Sequence, residues 1–263
     1  MRHSRILSNF LQRYSYTINV LLALAWKDIK LRYKKSLLGF FWSLLSPLIF
    51  LTIFILVFKK AFPELENYPL FVLTGIIYWN FFSTTTAQIL ISVTASARLL
   101  KSIAIPSVVY PAATALASAF NFLMSLIPFA LLFVLLGGKF TYHLLFIFPV
   151  TVLFALFILG LSLVLTSLNV YFSDVGILWN SILPALLYFT PIAYPSSLIP
   201  PEYAGIVQLN PLYHYAIAIR EVLYWNRIPS LELWLKISAI ALLSFFLGYN
   251  VFRKLERYFI SSI

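Results

Sequence analysis

The chain has 263 residues, 62% of them hydrophobic and only 10% charged, and a formal charge of +11. That is more apolar surface than one water-soluble core of this length can bury, so lipid is the expected main solvent and a soluble globular domain is excluded. The absence of cysteine excludes disulfides, thiolate metal sites and cysteine nucleophiles.

The first 35 residues form a basic tail that leads into a helical pattern. Ile18, Leu22, Ala25, Trp26, Ile29 and Tyr33 fall within about 100° of one another on a helix, and Lys27, Lys30 and Lys34 cluster on another side. Such a helix is expected to lie in the membrane interface, with its lysines near anionic lipid. Asp28 and Arg32, four residues apart with the acid first, suit a helix-stabilising ion pair. The tail has no early apolar core followed by a small-residue cleavage site, so the first span is expected to serve as the targeting signal.

Residues 36–58 carry no charge and, at about 1.5 Å per residue, cross about 30 Å of hydrocarbon. Further spans are expected near 70–93, 107–136, 142–168, 176–197 and 235–252. The last is short, and Lys236 and Arg253 are placed to snorkel to the two interfaces. Residues 198–232 form the longest connection between spans. There Asn210 is a candidate N-cap and Pro211 a first-turn residue for a helix with Leu212, Tyr215, Ile219, Val222 and Leu223 on one face. The expected fold is therefore all-α and integral to the membrane. It is a single domain over 1–263, with six transmembrane helices, an N-terminal amphipathic interfacial helix and short external re-entrant or gate helices between spans five and six.

Orientation follows from the 19 Lys and Arg residues. A cytoplasmic N-terminus puts Arg2, Arg5, Arg13, Lys27, Lys30, Arg32, Lys34, Lys35, Arg98, Lys101, Arg253, Lys254 and Arg257 inside. Lys59, Lys60, Lys139, Arg220, Arg227 and Lys236 then lie outside. The excess of basic residues inside predicts that both termini are cytoplasmic. This distribution also accounts for the net charge without nucleic acid as a partner.

Gly137-Gly138-Lys139-Phe140 lacks the spacing and hydroxyl ligand of a phosphate-binding loop, so the chain is not expected to hydrolyse ATP itself. His3, His143 and His214 are far apart in sequence and no carboxylate pair has catalytic spacing, so neither a catalytic residue nor a metal site is expected. The spans carry essentially no charge at mid-depth, which removes support for proton- or sodium-coupled transport. They are rich in aromatic residues. Most of these suit interfacial belts, while Tyr78, Trp79, Tyr110 and Tyr171 are candidates to line a passage whose flat walls let sugar faces slide.

Residues 26–39, WKDIKLRYKKSLLG, followed by Trp42 and Pro47-Leu48, resemble the entry signature of permease subunits of ABC exporters for O-antigen, capsule and teichoic acid polymers. Thr190-Pro191-Ile192-Ala193-Tyr194-Pro195 and Leu209-Asn210-Pro211-Leu212-Tyr213, leading to Arg220, are similar to later motifs of that family. Residues 169–175 resemble its loop after the fourth span, except that Ser173 stands where the family commonly has arginine before the Asp. The resemblance covers essentially the whole chain. It implies a bacterial inner-membrane permease that pairs with a second copy of itself and with two separate ABC ATPase subunits, which bind the ATP and magnesium. The implied substrate is a lipid-linked polysaccharide. By the same carry-over, Trp26, Lys27, Lys30, Arg32, Tyr33, Lys34 and Lys35 meet the lipid phosphate; Arg98, Lys101, Ile105, Asn169 and Asp174 couple to the ATPase; and Asn210, Pro211, Tyr215 and Arg220 belong to an external gate. Two alternatives remain open at this point: an ABC exporter of drugs or small lipids, and a non-transporting membrane scaffold.

Overall fold

In the computed structural model the described residues are 2–34, 65–102 and 105–262, with scattered positions between 45 and 62. The expected span 36–58 and Lys35 therefore lie largely outside them. Among the described residues the fold is entirely helical. A long α1 (Arg2–Tyr33) is followed by α2 (Tyr68–Leu90), two short turns of helix at Ser92–Ala95 and Ala97–Ser102, α3 (Val109–Leu135), α4 (Ile147–Tyr171), α5 (Asp174–Phe189), α6 (Pro201–Gln208), α7 (Pro211–Leu223) and α8 (Leu231–Leu255).

The ends of these helices are chemically marked. Asn67 caps α2, its side chain accepting from Leu70 N at 3.2 Å. α3 stops where Gly137 adopts φ +82°, the left-handed turn that glycine supplies without a Cβ clash, and Gly138 N returns to Phe133 O at 2.8 Å. α5 ends at Thr190, held extended because Pro191 follows. Helix thus stops short of residue 197, where the sequence pattern had placed the end of the fifth span. α8 runs 25 residues, longer at both ends than the tract 235–252. Ser230 caps it, accepting from Leu233 N at 3.3 Å, and Glu232 pairs with Lys236 at 2.5 Å. The cap and ion pair carry the helix through residues too polar to be read as hydrocarbon-spanning.

Among the described residues, three helical stretches, Val109–Leu135, Tyr142–Tyr171 and Leu231–Tyr258, are long and apolar enough to cross a membrane, and Asp174–Phe189 is a shorter apolar helix. α2 is the central element, and most of its 23 residues are buried. It runs parallel to α4, with Tyr78 Oη 2.8 Å from Thr151 Oγ1 and Thr166 Oγ1 donating to Ile89 O at 2.7 Å. α3 and α5 run antiparallel to it. Ser118 donates to Gln88 at 3.0 Å, and Trp179 Nε1 donates to Thr86 Oγ1 at 3.0 Å. Around α2, Phe82, Phe154, Phe157 and Tyr215 interlock at ring separations of 4.9–6.3 Å, the offset and tilted geometry aromatic quadrupoles favour.

α4 and α8 lie side by side and parallel. Gly160 and Gly248 meet backbone to backbone, and Ser244 Oγ donates to Phe157 O at 3.1 Å. Apolar residues gain little by leaving lipid for each other, so van der Waals contact through small residues is what holds such a pair. The helix directions divide the bundle into two ends. One carries α1, residues 97–102 and 105–110, the α4–α5 turn and residues 252–262; the opposite end carries residues 65–67, 136–146 and 190–230.

Candidate functional site

At the α1 end the helix presents two apolar faces. Val20, Leu21 and Leu24 pack on a cluster formed by Val93, Leu100, Ile105, Tyr110, Val170, Phe252 and Phe259, and Ala25 is buried. Ile18, Leu22 and Trp26 form a second stripe that stays exposed. The expected single face is thus divided: Ala25 and half-buried Ile29 turn inward while Ile18, Leu22 and Trp26 turn out. Lys30 Nζ lies 5.4 Å from the Trp26 ring centroid, and Lys27, Lys30, Arg32 and Lys34 are all exposed. Tyr33 is the last residue of α1.

The Asp28–Arg32 ion pair expected from the spacing does not form. Asp28 instead accepts from Thr114 Oγ1 of α3 at 3.2 Å, and no carboxylate lies within ion-pair distance of Arg32 among the described residues. An exposed i,i+4 pair contributes only about 0.3–0.5 kcal/mol, so a tertiary partner readily displaces it.

The residues singled out for ATPase coupling converge on this end but differ in exposure. Arg98 and Lys101 are exposed on the short helix Ala97–Ser102. Asp174 is exposed at the first turn of α5, where its charge suits the positive end of the helix dipole. Ile105 belongs to the apolar cluster. Asn169 is buried and accepts from Gly176 N at 3.1 Å, closing the α4–α5 turn.

Tyr78, Trp79, Tyr110 and Tyr171 are not brought together on one surface. Tyr78 and Trp79 are buried in the main core, with Tyr78 against Phe122 at 5.2 Å. Tyr110 is buried in the second cluster, and half-buried Tyr171 donates to Leu255 O at 2.9 Å. Rings that lock helices together inside the chain do not line its surface. Sequence reasoning passed over two exposed polar groups on α5, Asn180 and Ser181, which lie on the same helix as the exposed ring of Tyr188. The available signal was two uncharged polar residues in the middle of an apolar tract.

At the opposite end, α7 is fastened at several points. Asn210 caps it, accepting from Leu212 N at 3.1 Å, and donates through Nδ2 to Thr190 Oγ1 at 2.8 Å. Pro211 opens the first turn, and Leu212, Tyr215, Ile219, Val222 and Leu223 are all buried, the face their spacing predicted. Tyr215 donates to Ile237 O of α8 at 2.9 Å. Arg220 is 2% exposed; its Nη1 and Nη2 donate to Pro191 O and Ile192 O, each at 2.6 Å, and its guanidinium carbon lies 3.7 Å from the Phe71 ring centroid. Gly75 leaves the space: a Cβ there would lie 3.3 Å from Nη2. Burial pulls the Arg220 pKa down to about 9, with Tyr224, Tyr194 and Tyr68 opposing, so the group stays charged at neutral pH. Asn210→Ala removes both the cap and the Thr190 contact, with an expected cost of about 1–2 kcal/mol. Thermal unfolding in detergent checks this; an unchanged midpoint contradicts the double role.

A family model for ABC-2 type transporters matches residues 19–224. The chain is a member of the ABC-2 type transporter family. Within it, this chain is 30% identical over 247 residues to the O-antigen export system permease protein RfbA of Klebsiella pneumoniae, covering 92% of this chain and 93% of the relative. It is 29% identical over 255 residues to the protein of the same name from Myxococcus xanthus, covering 95% and 97%. The polysialic acid transport protein KpsM of Escherichia coli is 24% identical over 246 residues, covering 91% and 95%. As an ABC-2 membrane subunit the chain is a multi-pass membrane protein, and its ATPase is a separate subunit.

Proposed function

We propose that this chain is the translocating subunit of an ATP-driven exporter that carries a lipid-linked polysaccharide, of the O-antigen, capsule or teichoic acid type, out across a bacterial inner membrane. The similarity to O-antigen export permeases over more than nine-tenths of both chains carries this reading. Six spans cross the membrane, with both termini and the α1 end in the cytoplasm. α1 lies in the interface, its exposed Ile18, Leu22 and Trp26 in lipid and its Lys27, Lys30 and Arg32 toward phosphate; Lys34 and Lys35, which follow the helix, are assigned to the same ligand.

Two copies form the pore, joined to two ATPase subunits. α5 contributes to its wall, because the exposed carboxamide of Asn180 is costly against lipid but suits a wet passage or a facing helix; the neighbouring Ser181 hydroxyl donates to Ile177 O at 2.9 Å. ATP-driven closure of the partners presses on Arg98, Lys101 and Asp174. The shared apolar cluster transmits that motion to α1, and the ties from Asn210 and Arg220 make α7 follow the outer end of α5.

Deleting the gene is expected to leave lipid-linked polysaccharide inside the cell and to remove it from the surface. Normal surface glycan without accumulation contradicts the reading. Replacing Lys27, Lys30, Arg32 and Lys34 together with glutamine is expected to cut export at least about tenfold, because each lost cationic donor weakens phosphate recognition, while membrane insertion persists. Unchanged export refutes their role.

A further inference from the structure

Between α1 and the α2–α3 pair runs a cleft of about 450 Å³, within the range of about 300–1,000 Å³ typical of small-molecule sites. One edge is cationic, formed by Lys27 and Arg32. The facing wall carries the neutral polar side chains of Gln88 and Thr114, with Asn121 further along α3, and Asp28 of α1 also lines the cleft. Three features distinguish it from a plain phosphate patch.

The turn of Asp28 toward Thr114 leaves Lys27 and Arg32 without a carboxylate partner among the described residues. Gln88 accepts from Ser118 at 3.0 Å, which fixes its carboxamide, and its nitrogen makes no hydrogen bond among the described residues. A carboxylate in a cationic cleft repels a bare phosphate yet accepts hydroxyl protons, so Asp28 is suited to a ligand that carries hydroxyl groups beside its phosphate. Amide and hydroxyl groups set into the side of membrane helices are themselves unfavourable against lipid and call for polar company.

We infer that this cleft binds a glycosyl diphosphate: Lys27 and Arg32 hold the diphosphate, and Gln88 and Asp28 hold hydroxyls of the first sugar attached to it. The inference rests on the proposed export of a lipid-linked glycan and adds that the chain reads the sugar next to the phosphates, between Asp28 of α1 and Gln88 of α2, before the polymer enters the pore.

The test uses the full-length chain with its ATPase subunits in lipid nanodiscs and two labelled probes, a short polyprenyl diphosphate carrying one hexose and the same diphosphate without sugar. Gln88→Ala is expected to weaken the glycosylated probe about tenfold, the worth of a lost hydrogen bond in a desolvated site, and to leave the bare probe unchanged. The unchanged bare-probe affinity also shows that the variant is folded. Equal affinities of Gln88→Ala and the parent for both probes, or equal losses on both, overturn the sugar site. Lys27→Gln with Arg32→Gln is expected to weaken both probes. If that double variant binds both normally, the phosphate reading itself fails; if it weakens both while Gln88→Ala has no sugar-selective effect, only the sugar site falls.

Discussion

Gly248→Leu is expected to prevent α4 and α8 from closing, with little folded protein recovered from membranes. A Cβ at Gly248 falls on the carbonyl of Gly160, and one at Gly160 falls on the backbone of Ser244 and Phe245. Neither obstacle is a side chain that can rotate away, so the helices themselves must part. Even Gly248→Ala forces this movement, at a cost of about 1–3 kcal/mol or more. Leucine adds a branched side chain to the same collision. Parting also breaks the Ser244–Phe157 hydrogen bond and draws Ile237 O from Tyr215, so the damage reaches α7. Gly205→Ala is the control. It lies in α6 with no atom within 4 Å of its Cβ and is expected to be neutral or to stabilise by up to about 1 kcal/mol. Thermal unfolding of purified protein in detergent separates the two glycines. Equal midpoints for Gly248→Ala and Gly205→Ala contradict the backbone contact.

Arg220→Leu is expected to release α7 from the C-terminal end of α5. The guanidinium sits at the C-terminus of α5, where the helix dipole is negative and the carbonyls of Pro191 and Ile192 lack helical partners. This environment, together with the face of Phe71, offsets the burial of a cation that has no carboxylate among the described residues. Leucine fills part of the volume but leaves two buried carbonyls unpaired, at about 1–3 kcal/mol each, partly offset by not burying a charge. A net loss of about 2–3 kcal/mol is expected. Lysine does not restore the site, because an ammonium cannot donate as a planar fork to two adjacent carbonyls while stacking on a ring. Hydrogen exchange of the Thr190, Ile192, Ala193 and Tyr194 amides reads the result directly. Faster exchange in Arg220→Leu and Arg220→Lys is the expected outcome; parental protection in both variants shows that Arg220 does not hold the turn. If α7 follows α5 during transport, as proposed, export falls in both variants even where protein levels are normal.

Much of this architecture was legible from residue order. Asn210-Pro211 marked the start of α7 because an N-cap and a first-turn proline are local signals, needing only the next few residues to act. The buried face of α7 followed from helical spacing for the same reason. The reading failed where two parts of the chain compete for one group. Asp28 had a suitable partner four residues on and took Thr114, far away in sequence. Tyr78 and Tyr110 looked like pore aromatics but are buried in packing between helices of the chain itself. An aromatic residue in an apolar tract carries no sign of whether it meets lipid, a passage or another helix.

The sequence by itself determined that the chain is helical and lives in lipid, and where a locally marked helix such as α7 begins. These depend on composition and short-range spacing, and in hydrocarbon every backbone group must be satisfied within its own helix. Only the tertiary structure decided that α4 and α8 touch through Gly160 and Gly248, that Arg220 clasps the end of α5, and that Lys27 and Arg32 face Gln88 across a polar cleft. Each of these depends on which face of one helix meets which face of another. Apolar periodicity ranks such faces poorly when lipid and protein are almost equally apolar.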